Sequence, residues 1–395
     1  MTIREQLEHL LRECVRLNAS DVHLSPGLAP HFRHQGGLAP HSSLPPLTAE
    51  DIWVMATELL TGTRLAGQPA ATLDEAFGTR GAVDGAITSA DGIRYRYNIF
   101  RSQNHASIAI RRLEDRFRTL AELGLPESLY DLCNYRDGLV VISGPTGSGK
   151  STTIGTLIDR INQTRDGHII TIEDPIEYLH KHARSVVHQR QVGLDAPGFN
   201  EALVDSLRQD PDVILVGEIR DLDTIRTAII AAETGHLVFT TLHAGDCVGA
   251  VERLVSVFPS DEQDSIRRQL SLTLRAVVAQ RLLQRLNPTT EELASGLPCV
   301  VASEILLVTA AVANLIAIGR SAQIYSTIET GLSHGMRTLE QDLAHLCMTG
   351  QISEAAALAM ARSPSTVKER IANLQRLAEN GNGNANGRSS RRTRL

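Results

Sequence analysis

The run Gly144-Pro-Thr-Gly-Ser-Gly-Lys150-Ser151 constrains this 395-residue chain more than any other feature. It fits G-x-x-x-x-G-K-[ST], a pattern whose meaning depends on its flanks. Before it stands Leu139-Val-Val-Ile142, an apolar run of strand length. After it, Thr152-Thr-Ile-Gly-Thr-Leu-Ile-Asp-Arg-Ile161 carries apolar residues at helical spacing. Strand, glycine-rich turn and helix together make a phosphate-binding loop, whereas an ordinary glycine-rich turn does not need these flanks. The expected binding segment is Gly144, Pro145, Thr146, Gly147, Ser148, Gly149, Lys150, Ser151 and Thr152. In it, the backbone N–H groups of Gly147, Ser148 and Gly149 curl around a β-phosphate at a helix N-terminus that favours negative charge. Lys150 reaches the β- and γ-phosphates, and the Ser151 hydroxyl holds Mg²⁺. The chain is expected to bind a nucleoside triphosphate.

Composition limits what surrounds that loop. The length suits two domains with room for a small third piece, and 42% hydrophobic residues are enough for real cores. A net charge of −6 argues against general nucleic-acid binding, which needs a basic face. The five cysteines, Cys14, Cys133, Cys247, Cys299 and Cys347, lie far apart without a C-x-x-C pair. That spacing disfavours a zinc site and a disulfide framework and suits a reducing cytoplasm. The first residues carry charge but no apolar h-region, so no signal peptide is expected. The best candidate for a membrane span, Ile305 to Ile318, is too short and contains Asn314. It reads better as a buried strand and helix, so membrane association is expected only through partners.

The pattern along the chain divides it. Residues 1–115 mix a helix from Ile3 to Leu17 with alternating strands at Val22–Leu24, Phe32–Arg33, Ile93–Phe100 and Ser107–Arg111, as expected for an α+β domain. Residues 116–136 read as a linker. From Leu139, apolar strands at Val140–Ile142, Ile169–Ile172, Val213–Val216 and Leu237–Thr241 alternate with helical stretches. This α/β pattern calls for a parallel sheet covered on both faces, over residues 137–377. Helix is expected from Ile266 to Leu286, a short strand near Cys299–Leu307, then helices to about Leu377. Residues 378–395 are low-complexity and basic, and read as a disordered tail.

Three further segments carry chemistry. Ile169-Ile-Thr-Ile172 ends in Glu173-Asp174-Pro175, and ligands in open α/β sheets sit beyond the carboxyl ends of strands. Two acids there, Glu173 among them, are candidates to orient or deprotonate an attacking water, although an acidic helix cap is an equal alternative. Asp212-Val-Ile-Leu-Val-Gly-Glu218 is an apolar run ending in an acid, placed to contact Mg²⁺ through water or to polarise the nucleophile. His236-Leu-Val-Phe-Thr-Thr-Leu-His243 brackets a buried strand with two histidines, His236 and His243, candidates to sense a γ-phosphate.

Taken together, Gly144–Thr153, Thr171–Tyr178, Leu207–Asp221 and Thr234–His243 resemble the Walker A, Asp box, Walker B and His box of the type II/IV secretion ATPases. Asn18-Ala-Ser-Asp-Val-His-Leu24, Leu120–Pro126 and Tyr325–Leu339 are similar to the twitching-motility retraction branch, PilT-type. The resemblance covers about residues 1–365. It implies a PAS-like N-terminal domain, a RecA-like core, and a homohexamer that hydrolyses ATP with Mg²⁺ at interfaces between domains and subunits. It implies a cytoplasmic motor working on the inner-membrane platform protein of a type IV pilus, with a type IVB secretion or conjugation motor, or an accessory motor beside a paralogous ATPase, as alternatives. A nucleic-acid translocase is the rival from another class, and the lack of a basic, aromatic-lined groove speaks against it. The resemblance also assigns Arg96 and Arg111 as the arginines that reach the phosphates, with Arg94, Arg101 and Arg112 one strand step away. One stretch departs from the branch. Ala311-Val-Ala-Asn-Leu-Ile-Ala-Ile318 is apolar where the branch carries two arginines and a glutamate, which fits either a helix packed inward or an apolar docking surface.

Overall fold

The computed structural model describes residues 2–34, 37–62, 72–113, 116–289, 292 and 298–389, with side chains to 376. The chain forms two compact units. Unit 1 comprises Met1–Phe117, Thr171–Lys181 and Val187–Ala202, and unit 2 comprises Arg118–Ile170, His182–Val186 and Leu203–Leu395. The strand after the expected Asp box thus groups with the N-terminal unit, which no linear cut of the sequence suggests.

Unit 1 opens with α1 (Ile3–Arg16), β1 (Asp21–Leu24), β2 (His31–His34), β3 (Gly37–Pro40), α2 (Ala49–Gly62) and α3 (Leu73–Phe77). It continues with β4 (Ala82–Thr88), β5 (Arg94–Ser102) and β6 (His105–Arg112). Thr2 and Glu5 form a capping box at the start of α1, satisfying two orphan N–H groups. The strands make an antiparallel sheet ordered β3-β2-β1-β6-β5-β4. Along β5 the side chains alternate. Tyr95, Tyr97 and Ile99 are buried, and the tyrosine hydroxyls donate to Leu11 O at 2.9 Å in α1 and Leu59 O at 3.1 Å in α2. Arg94, Arg96 and Asn98 therefore occupy the opposite face of the sheet. Register lines up Ala86, Arg96, Arg111, Asp21 and Arg33 across five strands of that polar face.

Unit 2 begins with α4 (Leu120–Leu123), and residues 127–134 are also helical, so the expected linker is largely ordered. There follow in chain order β7 (Gly138–Ser143), α5 (Lys150–Thr164), β8 (His168–Glu173), β9 (Val186–Gln191), α6 (Phe199–Ser206), β10 (Val213–Val216), α7 (Leu222–Glu233) and β11 (Leu237–Leu242), of which the end of β8, most of β9 and the start of α6 fall in the unit 1 segments. Next come α8 (Cys247–Ser256), α9 (Gln263–Thr273), β12 (Leu274–Gln284) and β13 (Cys299–Leu307). The order of this seven-stranded sheet is β13-β12-β7-β11-β10-β8-β9. β7 is central, parallel to both β11 and β12, and buried throughout. The helix expected from Ile266 to Leu286 is instead a helix to Thr273 and then strand β12. Burial on both faces removes the alternation of a strand, so a largely apolar strand looks like a helix in sequence.

The remaining helices are α10 (Ala310–Ala317), α11 (Ile324–Thr330), α12 (Leu339–Met348), α13 (Glu354–Met360) and α14 (Pro364–Ser389). Leu339, Leu343, Val367 and Ile371 pack with Leu283 and Val300 into a core beside β13. The segment considered as a membrane span is the end of β13 followed by α10, and among the described residues no helix is long and apolar enough to cross a membrane. On α10 only Val312 and Ile316 are buried, while Ile318 is 54% exposed. The departing stretch therefore packs by one side and is open on the other. α14 carries its helical backbone to Ser389, where a disordered tail was expected from 378. Extending an existing helix is far cheaper than nucleating one, so poor helix formers can follow the anchored turns at Val367 and Ile371. Residues 390–395 of that tail lie outside the described residues.

The β4–β5 pairing yields a test of the unit 1 core. A methyl group added at Gly85 would run into the Tyr97 ring, which is fixed by burial and by its bond to Leu59 O. Gly85→Ala should destabilise unit 1 by about 1–3 kcal/mol, the usual cost of overpacking. Thermal unfolding of wild type and variant checks this, and an unchanged melting profile would show that Tyr97 is free to move.

Candidate nucleotide site

The loop between β7 and α5 takes the form that its glycines allow. Gly147 has φ +77° and Gly149 φ +87°, values that side chains with a Cβ rarely adopt. At Gly144 the limit is also space, since a Cβ would lie 2.5 Å from the Gln280 carbonyl oxygen. Lys150 is the first residue of α5, and its Nζ donates to Gly144 O and Pro145 O, both at 3.0 Å, folding over the loop. Ser148 Oγ is buried with no hydrogen-bond partner, an orphaned polar atom inside the cradle. Ser151 is exposed at the helix start, with Thr152 half-buried behind it, and Pro145 and Thr146 are exposed at the loop tip.

Three strand ends converge on this loop, fixed to one another by hydroxyls. Ser143 Oγ, at the end of β7, donates to Ala244 O at 2.9 Å and accepts from Ala244 N–H at 3.1 Å, beyond β11. Thr241 Oγ1 on β11 donates to Gly217 O at 2.6 Å, beyond β10. These bonds set His243 and Glu218 side by side, with Nε2 and Oε2 3.7 Å apart. Arg220, not among the sequence candidates, pairs with the same Glu218 oxygen at 2.8 Å. The only hint of it was the spacing Glu218-Ile-Arg220. Partial burial holds the His243 imidazole below its ordinary pKa, and the Lys150 charge adds to that. The Lys150 effect places the loop lysine within electrostatic reach of His243.

His236 does not belong here. It precedes β11 and bonds through Nδ1 to Ala231 O at 3.0 Å. At strand rise it stands roughly 20 Å from His243, at the amino end of the sheet. A parallel sheet gathers ligands at its carboxyl ends, so only one of two histidines bracketing a strand can serve the site.

The unit 1 candidates form a second group. Glu173 Oε1 accepts from Thr171 Oγ1 at 2.6 Å and from Gln189 Nε2 at 3.1 Å. Burial pushes its carboxyl up to about 7, outweighing those two bonds. Gln189 was not anticipated, because its approach depends on the β9 backbone. Arg94 is drawn below its ordinary range by burial, opposed by the charge of Glu173, and its Nε is buried without a hydrogen-bond partner. Arg96 and Arg111 are direct register partners on β5 and β6. Arg111 Nε bonds Asp21 Oδ1 at 2.7 Å. Of the other two arginines, Arg101 pairs with Asp74 and Arg112 donates to Asn18 Oδ1 at 2.8 Å.

The residues fit ATP and Mg²⁺. A glycine cradle with an orphaned hydroxyl, a lysine and a helix start suit a triphosphate. Mg²⁺ prefers to share its oxygens between phosphates, water and one or two side chains. Ser151 and Glu218 supply such a set, and among the described residues no group of three His, Cys, Asp or Glu competes for a metal.

The sequence profile described as "Type II/IV secretion system protein" matches residues 1–328. The type IV pilus retractation ATPase PilT of Pseudomonas aeruginosa is 39% identical over 359 residues, 91% of this chain and 98% of that protein. The type IV pilus ATPase PilU of the same organism is 38% identical, covering 92% of this chain and 90% of PilU. A crystal structure of the pilus retraction motor PilT with bound ADP superposes with TM-score 0.80 at 37% identity, over 92% of this chain and 98% of that one. The α/β architecture with a RecA-like parallel sheet is that of these ATPases, and this chain belongs to the type II/IV secretion system protein family.

Proposed function

We propose that the chain is a motor ATPase that assembles as a homohexamer and drives retraction of a type IV pilus, working on an inner-membrane platform protein from the cytoplasmic side. One observation carries the reading. Lys150, Glu218 and His243 converge at the carboxyl ends of β7, β10 and β11 in a chain that matches a pilus retractation ATPase along nearly its whole length.

Each group has a separate task in hydrolysis. Gly144 through Thr152 bind and orient the triphosphate, and Lys150 draws the β- and γ-phosphates toward the helix start. Ser151 directly and Glu218 through water would hold Mg²⁺, which would supply neutralising charge to the triphosphate. Glu173 takes a proton from the attacking water, a task suited to a carboxyl whose pKa stands near the working pH. His243 lies beside Glu218, placed to register the presence of the γ-phosphate. Arg96 and Arg111 stabilise the charge that spreads over the transferring group, for which a planar guanidinium is well matched.

Lys150→Ala should weaken nucleotide binding and lower turnover together. Glu218→Gln should keep ATP bound while hydrolysis slows about a hundredfold, the scale of losing one electrostatic stabiliser of the transition state. Fluorescent-nucleotide titration beside phosphate release separates the two, and wild-type turnover in Glu218→Gln would remove it from the mechanism. For the cellular role, deleting the gene in its own bacterium should abolish pilus retraction. Wild type supplied in trans should restore it, and Lys150→Ala should not. Unaltered retraction after deletion would overturn the reading in favour of another secretion machine.

A further inference from the structure

The segment Asn18–Leu24 has no task in the mechanism so far, yet its geometry gives it one. We infer that Asp21 is a positioning residue for Arg111. It holds the guanidinium by its Nε edge and leaves both Nη groups facing outward from the polar face of the unit 1 sheet toward a phosphate. The inference rests on the reading above, in which Arg111 reaches the nucleotide.

Asp21 and Arg111 stand opposite each other on β1 and β6, 90 residues apart in sequence. Arg111 Nε donates to Asp21 Oδ1 at 2.7 Å. The other carboxylate oxygen accepts from Ser20 Oγ at 2.8 Å and lies 3.8 Å from Arg33 Nε. The anchor is buried and its arginine is not, with side-chain exposures of 10% for Asp21 and 66% for Arg111. An ion pair so exposed on one side adds little to stability. What it does produce is a fixed plane, because tethering one edge of a rigid fork orients the rest before any ligand arrives.

A neighbouring feature points to an anion as the missing partner. Arg96 is the direct cross-strand neighbour of Arg111, and like charges in that relation repel unless something negative stands between them. Asn18, held at φ +47°, accepts from Arg112 Nη2 at 2.8 Å on the other face of the sheet, where Arg112 stands opposite Tyr95. The segment thus sorts two adjacent arginines, one to each anchor.

The test is a double-mutant cycle on the full-length assembled protein, with steady-state ATP hydrolysis measured for wild type, Asp21→Ala, Arg111→Ala and the double variant. Asp21→Ala should lower kcat about tenfold through loss of orientation, with KM for ATP changed by no more than about threefold, as for an interaction made mainly in the transition state. The double variant should be no slower than Arg111→Ala alone, the non-additivity expected of residues acting through one group. Asp21→Asn, which keeps an Oδ acceptor for Nε, should recover most of the rate. It also carries the same cycle with Arg111→Ala if Asp21→Ala does not fold. Losses that multiply in the double variant, or an unchanged kcat in Asp21→Ala beside a slowed Arg111→Ala, would overturn the inference and leave the proposed function standing. Full turnover in Arg111→Ala would instead overturn the reading on which the inference depends.

Discussion

The turn that leaves β7 is the constraint on which unit 2 is built. The chain must come off a fully buried strand, reverse over a few residues and begin a helix with its N–H groups aimed back at the strand end. Gly149 supplies the left-handed backbone just ahead of α5, and Gly144 supplies the missing side chain where the Gln280 carbonyl passes. Every other group of the site is placed by reference to that turn. β11 and β12 flank β7 in parallel, so their carboxyl ends open on the same side.

What turns a phosphate cradle into a catalytic site is the lacing of adjacent strand ends. Ser143 bonds beyond β11 and Thr241 bonds beyond β10, each through a hydroxyl pointing across the sheet edge. With two such ties, His243 and Glu218 have little freedom relative to the loop, and preorganisation of that kind lowers a barrier without reorganisation at the moment of reaction. The electrostatics differ between the acids. Glu218 is held beside Arg220 and His243, which suits a carboxylate near a cation. Glu173 is buried with two neutral donors, and its proton affinity rises. Two carboxyls in unlike environments suit the unlike roles proposed for them.

Much of this was legible in the sequence wherever a local pattern decides the structure. The phosphate loop, β10 with its terminal acid and the β11 strand follow from apolar runs ended by the right residue. Three things were not legible, for physical reasons. A strand's direction relative to the site does not appear in its composition, so His236 and His243 looked equivalent until the sheet gave them opposite ends. Long-range pairing is silent as well. Asp21 and Arg111 meet only because β1 lies beside β6, and Gln189 reaches Glu173 only because of the path of β9. Finally, β12 is buried along most of its length, which removes the alternation that separates a strand from a buried helix. The resemblance to a family supplied the arginines, which neither spacing nor charge would have singled out from a solvated face.

The central claim is that Glu173 is the group that takes the proton in hydrolysis. The most direct measurement is turnover at saturating ATP and Mg²⁺ as a function of pH, for wild type and Glu173→Gln. Only the deprotonated carboxylate accepts a proton, so wild-type kcat should rise with pH up to about 7 and level off above it. Glu173→Gln should be slower by about a hundredfold and lack that rising limb, the result expected when the base itself is removed. The same limb in both proteins, or a wild-type rate in Glu173→Gln, would contradict the account.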